Sequence, residues 1–493
     1  MSSRFRMLVL TSTIVMGTVT AQPAGLAAAP GGPNTPEPLV VGTLFPETGD
    51  LASLGPPLVA GARLAVGDIN ASGGVFGAPV QLVEGDSGTD PTVASQSVDG
   101  LLASGSDVIV GAAASSISLS VIDQIVGAGV IQFSPSNTSP ALTNYPDMGL
   151  YFRTAPSDTL QAAVLAELIV EQSSTAAVVY RYDNYGQTLA GLFAANFAAL
   201  GGQPPTLIPY PPTDDDFADE VAQIAAVDPE AVLVISFQEA GALITTMDDQ
   251  GVGPAQGKNV WGVDGFIAGV GSLVSDPAIL TGLRGTLSGV DFASIPMFID
   301  RLDAAIGGSA APYPYAAETY DAIVITALAA LTAGSDDPER IASEIVGVTR
   351  NGTVCTTFVQ CRELLAEGVN IDYDGLGGPF EFNNCGEPTT ASFAVLAYDG
   401  DPDPIDAAFV FPTTENLTTG PLACQQTETL ADVLDSIIPQ GGPGSNGLYA
   451  TLQNGNYAAF IHQVEALCCL PSNGKLFTRS EADLLIGLAS ELL

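Results

Sequence analysis

Leu39-Val40-Val41-Gly42-Thr43-Leu44-Phe45-Pro46-Glu47-Thr48-Gly49 opens the stretch that decides the fold. Its first seven residues form an apolar, partly β-branched run of strand length, and Pro46 with Gly49 ends it in a turn. A helical run follows, with Leu58, Ala62, Ala65 and Ile69 at helical spacing, and it closes on Asp68-Ile69-Asn70-Ala71-Ser72-Gly73-Gly74. A second strand comes next, at 80–84. Strand, helix and strand in that order make the opening βαβ unit of a parallel sheet.

The alternation continues to about residue 290. Strands are expected at 39–45, 80–84, 108–110, 130–133, 176–180, 231–236 and 260–262, and in the later part at 375–382 and 392–398. Between them, Leu160, Val164 and Leu168, then Phe193, Phe197 and Leu200, repeat at helical spacing. This many units predicts an α/β protein of two doubly wound lobes. The break between them falls at Thr154-Ala155-Pro156-Ser157-Asp158.

Open parallel sheets bind ligands beyond the carboxyl ends of their strands, where loops and helix starts expose N–H groups. In the first half those ends carry Ser115, Ser116, Asn137 and Thr138, and in the second Asp183, Tyr185, Phe237 and Asp264. Hydroxyl and N–H groups in one half suit a carboxylate. An acid among aromatics in the other suits an ammonium group. Each also has a purely local reading: serine caps helices, Asn137 and Thr138 precede Pro140 in a turn, and Tyr185 and Phe237 can pack. Arg153, Asp158, Asp183 and Asp321 read as structural or hinge residues.

Composition restricts the function further. With 54 acidic residues against 13 basic ones, the formal net charge is −41, and Lys258 and Lys475 are the only lysines. Such a surface repels phosphate backbones and anionic headgroups, so neither nucleic acid nor a bilayer surface is an expected partner. The acidity itself reads as solubility. The sole histidine, His462, lies outside the α/β region, which leaves a histidine-dependent triad there without its base. The glycine-rich pieces match no phosphate loop or dinucleotide fingerprint. No enzyme activity, catalytic residue or cofactor is indicated.

Residues 1–29 have the pattern of an export signal: Arg4 and Arg6, an apolar stretch from Met7 to Thr20, and small residues at Val19-Thr20-Ala21 and Ala27-Ala28-Ala29. Residues 30–37 read as a leader. The first cysteine is Cys355, so a lipid anchor at a cleavage point is not expected, and no later run reaches the roughly 18 apolar residues of a membrane span. Six cysteines in an exported chain are expected in disulfides. Cys355 with Cys361 is the preferred pair, while Cys385, Cys424, Cys468 and Cys469 cannot be paired from sequence. Zinc is disfavoured, because only one spacing is short and His462 has no metal-type neighbour.

Several segments together resemble one family. They are Thr48-Gly49, Gly61-Ala62 to Ile69-Asn70, Gly73-Gly74, Asp90-Pro91, Ser134-Pro135 to Ser139-Pro140-Ala141-Leu142, Phe152-Arg153-Thr154, Asp183-Asn184-Tyr185-Gly186, Asp216-Phe217 and Tyr320-Asp321-Ala322. In this order over residues 39–400 the chain resembles the type I periplasmic solute-binding proteins, specifically the leucine and branched-chain amino-acid receptors of ABC importers. The resemblance implies two hinged lobes, one from 38–157 and 292–350, the other from 158–291 and 351–415. It implies a monomeric, exported protein that holds an amino acid or related small polar ligand and delivers it to a membrane permease. By motif, Ser115, Ser116, Asn137 and Thr138 correspond to the carboxylate side, and Tyr185, Phe237 and Asp264 to the ammonium side. Leu54 replaces a frequent aromatic and Phe237 lacks a hydroxyl, so a more apolar pocket is expected. A sensor or surface scaffold using the same cleft is the alternative.

Beyond Cys424 the composition changes. Residues 430–438, 457–467 and 480–492 read as helices, and 424–493 resembles a small FIMAH-type helical module appended to secreted bacterial proteins. A helical tail docked on the receptor is the competing reading.

Overall fold

The computed structural model describes residues 36–307 and 313–410, together with Cys424 and Val464. The expected signal segment, most of the leader and the C-terminal helical module lie outside the described residues.

The described chain builds two parallel-stranded sheets, each covered by helices. The first takes β1 (Val40–Phe45), β2 (Gln81–Asp86), β3 (Val108–Gly111), β4 (Ile131–Ser134) and β5 (Tyr151–Arg153), in spatial order β2-β1-β3-β4-β5 with every pair parallel. Its connections include α1 (Gly55–Ala71), α2 (Pro91–Ala103) and α3 (Ser115–Val126). The second sheet takes β6 (Ala176–Arg181), β7 (Thr206–Tyr210), β8 (Ala231–Ile235), β9 (Asn259–Gly262) and β10 (Arg284–Ser288), connected through α4 (Asp158–Val170), α5 (Asn184–Ala199), α6 (Ala218–Val227) and α7 (Ala240–Asp249). After α8 (Pro296–Ile306), α9 (Ala316–Ala333) and α10 (Pro338–Ile345), a two-stranded pair, β11 (Thr353–Cys355) and β12 (Ile371–Tyr373), encloses α11 (Phe358–Ala366). Strands β13 (Phe393–Ala397) and β14 (Ile405–Val410) then return antiparallel to the second sheet, giving the order β14-β13-β10-β9-β8-β6-β7.

The opening unit shows why this sequence takes this path. Val41 to Phe45 are buried, as a central strand covered on both faces requires. Asp86 at the end of β2 then gathers the turn: it accepts from the Glu47 and Thr48 N–H groups and from Thr48 Oγ1 at 2.6 Å. Gly49 lies at φ +86°, and a Cβ there would meet Gly88 O at 1.9 Å, so only glycine fits. At the far end of α1, Asn70 pairs with both backbone groups of Val80, donating from Nδ2 at 3.0 Å and accepting at Oδ1 at 2.7 Å. That side chain sets where β2 begins.

Three sequence expectations are corrected. Residues 375–382 are not a strand: Gly375-Leu376-Gly377-Gly378-Pro379 forms a loop, and its Leu376 and Gly377 N–H groups donate to the Asp321 carboxylate instead of to a sheet neighbour. Residues 353–373, placed above with the second lobe, pack instead on α9 and α1, and only β13 and β14 rejoin the second sheet. Helix α9 has the length and apolarity of a membrane span, yet most of it is buried against α1, α10 and α11 in the protein. The Cys355–Cys361 disulfide forms as expected, with Cα atoms 5.3 Å apart, and the structure adds Cys385–Cys424.

The start of α9 holds the segments that run between the two sheets. Thr154 Oγ1 donates to Glu318 O, Tyr373 OH donates to Asp321 Oδ1 at 2.6 Å, and Gly289, just past β10, packs beside the Glu318 side chain. Burial pushes Glu318 up to about 8, with the Asp321 charge adding to the shift. The folded protein therefore keeps a proton here that the unfolded chain releases above its ordinary value near 4.5. Stability is full below that value and declines as pH rises through about 8. The Glu318→Gln variant is expected to match the parent near pH 4 and to be more stable by up to a few kcal/mol at pH 9. Denaturant titrations at both pH values check this, and a pH-independent difference between the two proteins would contradict it.

Candidate functional site

Carboxyl ends of strands from both sheets converge on one small enclosed space. From the first sheet, β3 leads through Ala113 and Ala114 to Ser115 at the start of α3, and β4 leads to the 134–139 loop with Ser136 and Thr138. From the second come Tyr185 in the first turn of α5, Phe237 after β8, and Asp264 with Gly265 after β9. Leu51, Leu54 and Tyr315 complete the wall. The cavity among them is about 20 Å³, roughly the space of one water molecule.

Asp264 is the centre of this arrangement. Its side chain is enclosed, Oδ1 accepts from Tyr185 OH at 2.9 Å, and Oδ2 accepts from Tyr315 OH at 2.6 Å. Burial raises its pKa, and hydrogen bonds from Tyr315, Gln161 and Tyr185 partly offset that rise. A carboxylate has about four acceptor positions, so beyond the two phenols and the Gln161 amide one remains for a further donor. Behind it lies Asp158, the first residue of α4, wholly buried, with the Thr138 hydroxyl against its carboxyl group but no hydrogen bond of good geometry to either oxygen among the described residues. Burial, and then the Asp264 charge, hold Asp158 well above the usual carboxylate range. A buried carboxylate with acceptor capacity left, beside a second acid that burial keeps protonated, forms a site for one positive charge.

The aromatic wall is ordered from below. Asp183 caps α5 by accepting from Gly186 N at 2.9 Å, which fixes Tyr185. Tyr185 stacks on Phe237 with ring centroids 5.5 Å apart. Arg181 covers the Phe237 ring at 4.6 Å and is held by Asp183, Glu239 and, from the loop after β1, Asp50 at 2.9 Å. A second link between the two sheets' loops runs from Ser139 Oγ to Asn184 Oδ1 at 2.8 Å.

The residues singled out from sequence divide into two groups. Ser115, Thr138, Tyr185, Phe237 and Asp264 all line the cavity. Ser116 does not: it lies one position along α3, about 100° around the helix from Ser115. Asn137 does not line it either, because its amide is spent on the framework, donating to Ala112 O and Ala113 O and accepting from Tyr151 OH. Tyr315 was missed. It stands at φ +61°, a left-handed conformation rare for a bulky residue, immediately before α9, and the only cue in sequence is an aromatic ahead of an apolar helix.

Arg153 supports the first-sheet side. Wholly buried, its Nη1 donates to Ser139 O at 2.9 Å and to Asn137 O, its Nε donates to Glu387 Oε2 at 2.9 Å, and Nη2 reaches Glu387 and Thr143 Oγ1. Glu387 belongs to the turn that contains Cys385, bonded to Cys424, and Gly386 O in that turn accepts from Arg153 N. Glu387→Gln is expected to cost about 3–5 kcal/mol of stability, by leaving the guanidinium buried without its counter-charge. Replacing both partners, Arg153→Met with Glu387→Met, is expected to cost less than the single change. Urea unfolding of the two variants decides it, and equal losses would contradict a charge-based explanation.

The model of the periplasmic binding protein family matches residues 38–401. Among characterised relatives, the chain is 27% identical over 367 residues to the chemotactic signal transduction system substrate-binding protein BasB of Halobacterium salinarum, covering 72% of this chain and 86% of that one. It is 28% identical to a Leu/Ile/Val-binding protein homolog of Brucella melitensis, covering 62% of this chain and 81% of that one. Among solved structures, it is similar to the leucine-binding protein LivK of Thermotoga maritima, with a TM-score of 0.64 and 20% identity over 76% of this chain and 98% of that one. The LivJ protein of Streptococcus pneumoniae, solved with isoleucine, gives 0.62 at 20% identity over 76% of this chain and all of that one. At this identity the likenesses establish the fold.

Proposed function

The chain belongs to the periplasmic binding protein family, and on that premise we propose that it is an exported receptor of an ABC importer that holds a branched-chain amino acid or a related small polar ligand between its two sheets. The observation that carries this reading is Asp264, buried between phenols from both sides of the cleft with acceptor capacity left over. Its role is to take the ligand ammonium, with Asp158, held protonated by burial and by the Asp264 charge, behind it. The Ser115 and Thr138 hydroxyls and the start of α3, which has no side-chain cap, suit the carboxylate. Leu51, Leu54 and Phe237 offer an apolar wall to the side chain.

In this reading the two sheets are jaws. The links Asp50–Arg181, Ser139–Asn184 and Asp264–Tyr315 hold a closed form tighter than the liganded one, since its water-sized space must widen to admit an amino acid, and ligand binding shifts the population between open and closed forms. A permease then recognises the closed surface of a monomer, and the work is capture with no chemical step. The name of the Halobacterium salinarum relative favours a second reading, in which the same closure reports to a signal transducer. Pull-down with the ligand present separates the two by whether a permease or a transducer is retained.

The Asp264→Asn variant keeps the shape of the site and removes its charge. Its affinity for an amino-acid ligand, measured by isothermal titration, is expected to fall by roughly 2–5 kcal/mol. Unchanged affinity would reject the ammonium role.

A further inference from the structure

The enclosed space around Asp264 is not the end of the cleft. Leu54, Asp264 and Gly265 also border a second cavity of about 760 Å³. The first space has the size of a water molecule, whereas the second falls within the few hundred to about a thousand cubic ångströms typical of small-molecule sites. Both sheets' halves of the chain contribute to it, with Pro57 and Phe292 on one side and Phe266, Leu396 and Pro404 on the other.

Its chemistry sets it apart from the rest of the molecule. In a chain of net charge −41, Asp403 is the only charged residue besides Asp264 in this wall among the described residues. An apolar hollow that opens beside a buried acid matches a ligand with a cationic head and an apolar tail. Leu54 stands at the junction, its side chain bordering both spaces and 6% exposed. A leucine there sets less bulk between the two spaces than an aromatic ring would.

We propose that the ligand is an α-amino acid whose apolar side chain is longer than leucine's, with its head at Ser115, Thr138 and Asp264 and its tail in the cavity beyond Leu54. The proposal rests on the receptor reading above and adds the class of side chain. Each methylene buried in the hollow is worth about a fourfold gain in affinity. Linear alkyl and aromatic side chains therefore outrank valine and leucine.

Isothermal titration with valine, leucine, phenylalanine and 2-aminooctanoic acid tests this on the full-length protein and on Ala268→Phe, which narrows the second cavity away from the head group. Ser272→Phe, on the same wall, serves if Ala268→Phe has a lowered melting temperature. The parent is expected to bind 2-aminooctanoic acid at least tenfold more tightly than valine. The narrowed variant is expected to lose that advantage while its valine affinity stays within about twofold. Valine and leucine binding with no gain for the longer ligands, or a gain that survives the narrowing, would overturn the proposal and leave the receptor reading intact. Binding of none of the four would overturn both.

Discussion

A carboxylate buried as deeply as Asp264 must have its oxygens satisfied, and the structure does so with two phenols brought from distant parts of the chain. One is Tyr185, in the first turn of α5 on the second sheet, and the other is Tyr315, at the head of α9, which packs on α1 beside the first sheet. The constraint reaches outward from there. Tyr315 accepts a left-handed backbone to aim its hydroxyl. Tyr185 needs the Asp183 cap and the Phe237 stack, and Phe237 is in turn covered by the Arg181 guanidinium that ties back to Asp50. The same acid thus orders one wall of the cleft and bridges the two sheets.

The opposite wall is organised by backbone rather than charge. The 134–139 loop reaches the cavity with only Ser136 and Thr138, because Asn137 and Ser134 turn inward to the carbonyl of Ala112. Arg153 clasps the loop's carbonyls from beneath, and Glu387 neutralises Arg153 from a turn joined through Cys385 to Cys424. A contact surface of hydroxyls therefore rests on a buried ion pair. Desolvation makes such a pair costly to break on one side only, which holds the loop in one shape.

Much of the fold was legible because the parallel strands are buried on both faces and read as continuous apolar runs. β1, β3, β6 and β8 appear in sequence within a residue or two of their structural limits. Of the strands that escaped, β5, β11 and β12 are only three residues long, and β7 and β10 show another demand overriding propensity. β7 carries Pro209 and is tolerated only because it pairs on one side, with β6, at the sheet edge. β10 carries Gly285, whose missing Cβ lets it lie against Gly262 of β9, so it lacks the β-branched signature. Of the site, the residues immediately following strands were readable from position alone. Tyr315 was not, since it arrives from a later part of the chain and its role depends on tertiary approach to Asp264. Ser116 and Asn137 show the converse limit: strand-end position brings a residue near the cleft, but its helix phase or a nearby carbonyl decides whether the side chain faces it.

The proposed receptor role requires a cleft built for a molecule that is at once a cation and a carboxylate. Mass spectrometry of the small molecules released on denaturing protein purified from its own host measures that directly. A released compound carrying both a primary amine and a carboxylate is the predicted result. A sugar, a carboxylate without an amine, or an anion would contradict it.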